Sequence, residues 1–161
     1  MKRFFSVLAL LVLLCSCGTE TNSAELLGRF TAEVKTPGSC IVYLSGAASG
    51  EHFLDDEKMG LIYPDGTDIR ILCSDYAILI GMGSEPYEIH LLHARSRSDM
   101  PDLLSALTAR RQLLQQRKNE TFTESMREAV QSARVYPDGL YAILIVSRGA
   151  ESAEGILRRL F

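Results

Sequence analysis

Residues 140–147 read Leu140-Tyr-Ala-Ile-Leu-Ile-Val-Ser147, and the pentapeptide Tyr141-Ala-Ile-Leu-Ile145 repeats a run at Tyr76-Ala-Ile-Leu-Ile80. A short, nearly unbroken apolar run rich in isoleucine and leucine reads as a strand covered on both faces, because alternation disappears when neither face meets water. Both copies are therefore expected as inner strands of one sheet. A second phrase, Tyr-Pro-Asp-Gly, occurs at 63–66 and 136–139. Its composition is that of a turn: proline suits the second position, and glycine escapes the Cβ penalty. The two phrases are spaced differently in their two occurrences, so a simple tandem repeat fails. A decayed duplication, or hairpins that independently select similar residues, would each account for them.

Other elements are placed outward from these strands. Ser23 to Val34 carries Leu26, Leu27, Phe30 and Val34 on one helical face, with Ser23 as N-cap and Pro37-Gly38 as its end. Ile41–Leu44 is a short strand, and Phe53–Ile62 a helical turn or loop. Ile69–Met82 and Tyr87–Arg95 read as strands. In the second, Tyr87, Ile89 and Leu91 point inward against Glu88 and His90. Ser98-Asp-Met-Pro101 opens a helix with the apolar stripe Met100, Leu103, Leu104, Leu107 and Leu114, and proline in the first turn loses no hydrogen bond. Arg110, Arg111, Arg117 and Lys118 gather toward its C-terminal end, where the helix dipole favours cations. Phe122, Met126, Val130 and Ala133 mark another helix, and Ala150–Leu160 a last one. The order predicts an α+β domain: an antiparallel sheet of about four strands with helices packed on one face.

The N-terminus is of a different kind. In Met1-Lys-Arg-Phe-Phe-Ser-Val-Leu-Ala-Leu-Leu-Val-Leu-Leu14, two cations precede eleven largely apolar residues. That run is too short for the ~20 residues of a membrane-spanning helix and fits the h-region of an export signal. Leu14-Cys-Ser-Cys17 then resembles the bacterial lipobox. The resemblance implies cleavage after Ser16 and a thioether-linked diacylglycerol on Cys17. Cys15 competes less well, since it would put bulky Leu14 where a small side chain is needed. The expected organisation is a signal peptide at 1–16, a polar tether at 17–23 and one domain at 24–161. Two acyl chains give stable anchoring where one is marginal.

The chain has 161 residues, with 17 Lys+Arg against 20 Asp+Glu and a net charge of −3. Loss of Lys2 and Arg3 with the signal takes the mature charge to −5. No basic excess is present to bind nucleic acid. The run Glu85-Pro-Tyr-Glu-Ile-His-Leu-Leu-His-Ala-Arg95, with Asp99, the helix ending Arg110-Arg-Gln-Leu-Leu114, and the closing strand Tyr141–Val146 with its short helix, resembles the bacterial lipoprotein family catalogued as domain of unknown function 4358. The resemblance covers about residues 53–161. It implies export, lipid anchoring and a small α+β domain, and no reaction.

The residues offer little complete chemistry. His90 and His93 would share a face on a helix, but on a strand their odd spacing separates them, so no metal site is expected and the imidazoles read as surface groups. Asp55-Asp-Glu57, near His52, is the densest acid cluster and reads as a solvated loop; raised carboxyl pKa values need an apolar pocket. Cys40 and Cys73 are candidates for a disulfide in an oxidising compartment, with two free thiols the other reading. No phosphate loop, dinucleotide loop or Gly-x-Ser-x-Gly elbow occurs. No cofactor is expected. The reading is a membrane-anchored extracytoplasmic lipoprotein, non-catalytic, binding an envelope protein, a wall component or a small ligand. An exposed sheet face or the Arg110–Lys118 helix end would be its working surface. The alternative is an envelope hydrolase or metal-dependent enzyme using His52, His90 or the Asp55–Glu57 acids.

Overall fold

The computed structural model describes residues 21–36, 38–83, 86–116 and 123–161. The signal, Cys15, Cys17 and most of the tether lie outside these residues, as do Pro37, Glu85, Arg117, Lys118 and Phe122.

The first helix, α1 (Ser23–Glu33), is capped by Asn22, whose side chain accepts from the Glu25 N–H, so Ser23 is its first residue and not its cap. Strand β1 (Cys40–Leu44) follows, then α2 (Asp56–Ile62) and a single turn α3 (Ile69–Leu72) that runs into β2 (Cys73–Gly81). The strand expected from Ile69 therefore starts four residues late. The Asp68 side chain caps the turn at the Arg70 N–H. Ile69 is then buried while Ile71 is 67% exposed, as helical and not strand spacing dictates. Next come β3 (Glu88–Ala94), α4 (Met100–Gln116), α5 (Glu124–Gln131), β4 (Arg134–Asp138), β5 (Tyr141–Val146) and α6 (Ala150–Leu160).

The sheet has five strands, all antiparallel, in the order β1-β2-β3-β5-β4. The fold is α+β, with one strand more than expected. Both Tyr-Ala-Ile-Leu-Ile runs lie on inner strands, flanking β3. Their registers differ by one: Tyr76 pairs with Leu92, but Tyr141 pairs with His93. Equivalent residues of the two copies therefore face opposite layers, Ala77 on one side and Ala142 on the other. The second Tyr-Pro-Asp-Gly is not itself a turn. Its first three residues complete β4, an edge strand, which is where a proline is tolerated. Gly139-Leu140 makes the loop, with Gly139 at φ +56°, as a two-residue hairpin asks of its first position.

Helices cover both faces of the sheet, not one. On one face Ile78, Leu92 and Leu144 pack with Leu103 and Leu107 of α4, Met59 of α2 and Val130 of α5. On the other, Leu79, Leu91, Ile143 and Ile145 pack with Leu26 and Phe30 of α1 and with Ala153 and Leu157 of α6. The open sheet face expected as a working surface is thus filled. Replacing Gly139 by Ala should cost about 1–2 kcal/mol, the price of a Cβ in left-handed backbone, seen as a lower urea midpoint with unchanged slope.

Candidate functional site

The polar groups most confined by the fold lie beneath α4. Period two along β3 puts Glu88, His90 and Leu92 on one face, the face that α4 covers. On α4 the buried residues Leu103, Leu107, Arg110 and Leu114 recur at four- and three-residue steps. Arg110 therefore occupies the apolar stripe itself and points at the sheet. Its Nε and Nη2 donate to the two Glu88 oxygens at 3.0 and 2.6 Å, and its Nη1 donates to the Leu61 carbonyl at 3.2 Å. The His90 Nε2 is 3.1 Å from Glu88, and the Tyr63 hydroxyl 2.7 Å from His90 Nδ1.

Protonation follows from these partners. An ionised Glu88 can only accept, so His90 carries its proton on Nε2 and receives the Tyr63 O–H at Nδ1. Burial pushes the Glu88 carboxyl up, but hydrogen bonds from His90 and Arg110 with the Arg110 charge outweigh it and hold the pKa at about 2. Burial lowers the His90 pKa, against the partial opposition of Glu88, and keeps the ring neutral. Burial also lifts the Tyr63 phenol well above its ordinary value. One anion and one cation thus cancel with two neutral groups attached.

The four are almost wholly withdrawn from solvent. Tyr63 and His90 are fully buried, and Glu88 and Arg110 are 4% and 6% exposed. A general acid or base has to reach the substrate's proton within hydrogen-bond distance; here every polar atom faces another member of the group or backbone. The expectation of His90 as a surface imidazole is thereby corrected, as is that of Arg110 as part of a working surface at the helix end. Sequence reasoning missed the network because Glu88 and His90 mimic a solvent-facing strand side. The available signal was Arg110 at the stripe position between Leu107 and Leu114.

The remaining candidates are dispersed. His52 is exposed, and its Nδ1 is 2.7 Å from the Val42 carbonyl at the outer edge of β1. Asp55 caps α2 and pairs with Lys58 at 2.7 Å, and the Lys58 side-chain hydrogen bond holds its carboxyl below the usual range. Asp56 pairs with Arg70. These groups do not converge with His90. No group of three or more His, Cys, Asp or Glu able to hold a metal occurs among the described residues. Cys40 and Cys73 are free. Cys40 pairs with Gly81, eight residues along β2 from Cys73, roughly 26 Å at strand rise, against the 7 Å that a disulfide allows. The disulfide is therefore not made; burial lifts the Cys73 thiol to about 12.

His93 faces away from His90, as the odd spacing requires. Its Nδ1 lies 2.7 Å from the Ser74 Oγ, and its ring sits 4.6 Å from that of Tyr141, tilted at 46°, with Tyr141 itself 4.8 Å from Phe161. These residues line an open cavity of about 600 Å³ that also takes in Thr21, Asn22 and Asp138. Residue order alone does not bring them together, because nothing local links Ser74 to His93 until the β2–β3 register pairs their strands.

Comparison of the chain with protein families, with curated proteins and with solved structures finds no match. The resemblance noted in the sequence rests on its quoted residues alone.

Replacing Arg110 by Met should destabilise the domain by about 3–5 kcal/mol, because Glu88 would be left buried without a countercharge. Urea unfolding at pH 7 reads this directly. Acidification should weaken the native chain in two stages. The unfolded His90 takes a proton below about 6.5 while the folded one stays neutral, so that contribution, full above pH 7, declines from there downward. Glu88 is depressed when folded, so its contribution is present above about 4.5 and is lost as pH falls toward about 2. Unfolding free energy constant between pH 7 and 4 would contradict this account.

Proposed function

We propose that the chain is a lipid-anchored extracytoplasmic domain that works by binding, with an envelope protein, a wall component or a small ligand as its partner. The observation that carries this reading is how closely the folded domain follows the lipobox cysteine. The Tyr141 hydroxyl donates to the Thr21 carbonyl at 3.0 Å, and Asn22 caps α1. Thr21 follows Cys17 by four residues in the sequence, a reach of at most roughly 14 Å. A diacylglycerol on Cys17 would hold the end of the sheet that carries Thr21 and the Gly139 turn close to the bilayer, with the Tyr141–Phe161 cavity on that side. Enclosure of the Glu88–His90 network supports binding over proton-transfer chemistry, since its titratable groups serve packing.

Metabolic labelling with a palmitate analogue, in a bacterium carrying the lipoprotein machinery, tests the anchor. Cys17→Ala should leave an unlabelled precursor, whereas Cys15→Ala should still be labelled and membrane-bound. Label retained by Cys17→Ala would overturn the assignment.

A further inference from the structure

The other end of the β4–β5 hairpin carries a cavity of about 590 Å³. Arg111 of α4, Arg134 at the start of β4 and Arg148 before α6 line it, together with the first turn of α6. Gly149 is the N-cap of that helix, and no side chain caps it. The amide N–H groups of a first helical turn have no partner within the helix, and the helix dipole adds partial positive charge there. Glu151 and Glu154 also line the cavity and lie 3.8 and 3.5 Å from Arg134.

Two buried donors in this lining have no hydrogen-bond partner among the described residues: the Arg111 Nε and the hydroxyl of Tyr136. Tyr136 is 9% exposed. An orphaned buried donor is costly, more so on a charged group, and in native proteins it calls for a water or ion to complete it. An arginine donor, an uncapped helix start and a polar hydroxyl bordering one cavity match the needs of a tetrahedral oxyanion, which accepts several hydrogen bonds and rewards a planar guanidinium fork.

We propose that this cavity binds the phosphate group of a small soluble ligand, received by Arg111 and the first turn of α6. It lies across the hairpin from Thr21, which lines the cavity at the Gly139 end, so a phosphate here would come from solution and not from the bilayer beside the N-terminus. The site stands whether or not Cys17 carries lipid.

The test is calorimetric titration of the full chain in detergent with inorganic phosphate, against sodium chloride at matched ionic strength. Saturable phosphate binding is expected. Arg111→Gln should weaken it about tenfold or more, as loss of a charge-assisted contact implies. Gly149→Asp places a carboxylate over the same helix start; a Cβ there meets nothing within 4 Å, so the fold should keep its Tm while phosphate binding is lost. Absence of saturable binding, or undiminished binding in Gly149→Asp, overturns the proposal. So does recruitment of the wild-type chain, but not Arg111→Gln, to phosphatidylglycerol vesicles, because that would place the phosphate on a lipid.

Discussion

A single buried ion pair sets much of how this domain is put together. Glu88 stands at the start of the central strand, where no water can solvate its charge, and Arg110 is the cation that reaches it, through two hydrogen bonds. A buried charge without a partner costs several kcal/mol, so α4 has to lie on the sheet in the one register that brings Arg110 over Glu88. The remaining donors of the pair extend the constraint. Arg110 also holds the Leu61 carbonyl, and Tyr63 is tied through His90. One carboxylate thereby links β3, α4 and the C-terminal end of α2, three elements distant in sequence. Packing contacts alone tolerate small shifts of a helix; directional, charge-assisted bonds do not.

This arrangement explains what was readable from residue order and what was not. The pentapeptides at 76–80 and 141–145 lie on inner strands because a run without polar interruptions has no side to offer to water. That same feature called for helices on both faces, yet the overall order of elements suggested one covered face, and the run proved the better guide. The proline-led start of α4 was legible because the preference of proline for a first helical turn is local. Glu88, His90 and Arg110 were not, since their burial depends on meeting one another across 22 residues of sequence. Glu88 and His90 look like solvent-facing residues, and only the stripe position of Arg110 hints at burial. Ile69 and Ile71 failed for a related reason: spaced two apart they suit a strand, but the Asp68 cap turns them into a single helical turn.

Two open cavities flank the hairpin of β4 and β5. Its Gly139 end carries Thr21 and an aromatic cavity in which Ser74, His93 and Tyr141 meet; its other end carries the arginines and the uncapped start of α6. Glu88, His90 and Tyr63 are withdrawn between the layers, while Ser74, His93 and Asp138 line an open cavity. The cysteines divide along similar lines. Cys73 is a buried small hydrophobe and Cys40 a half-buried strand residue, far from one another, so the domain is held by packing and by its buried ion pair without a covalent staple.

The most direct test of that dependence is a double-mutant cycle at pH 7 on Glu88→Ala and Arg110→Ala, read by urea unfolding. The account predicts a coupling energy of about 2–3 kcal/mol, with the double variant far more stable than the sum of the single losses implies. A coupling within about 0.5 kcal/mol of zero, the scatter expected of independent sites, would contradict it.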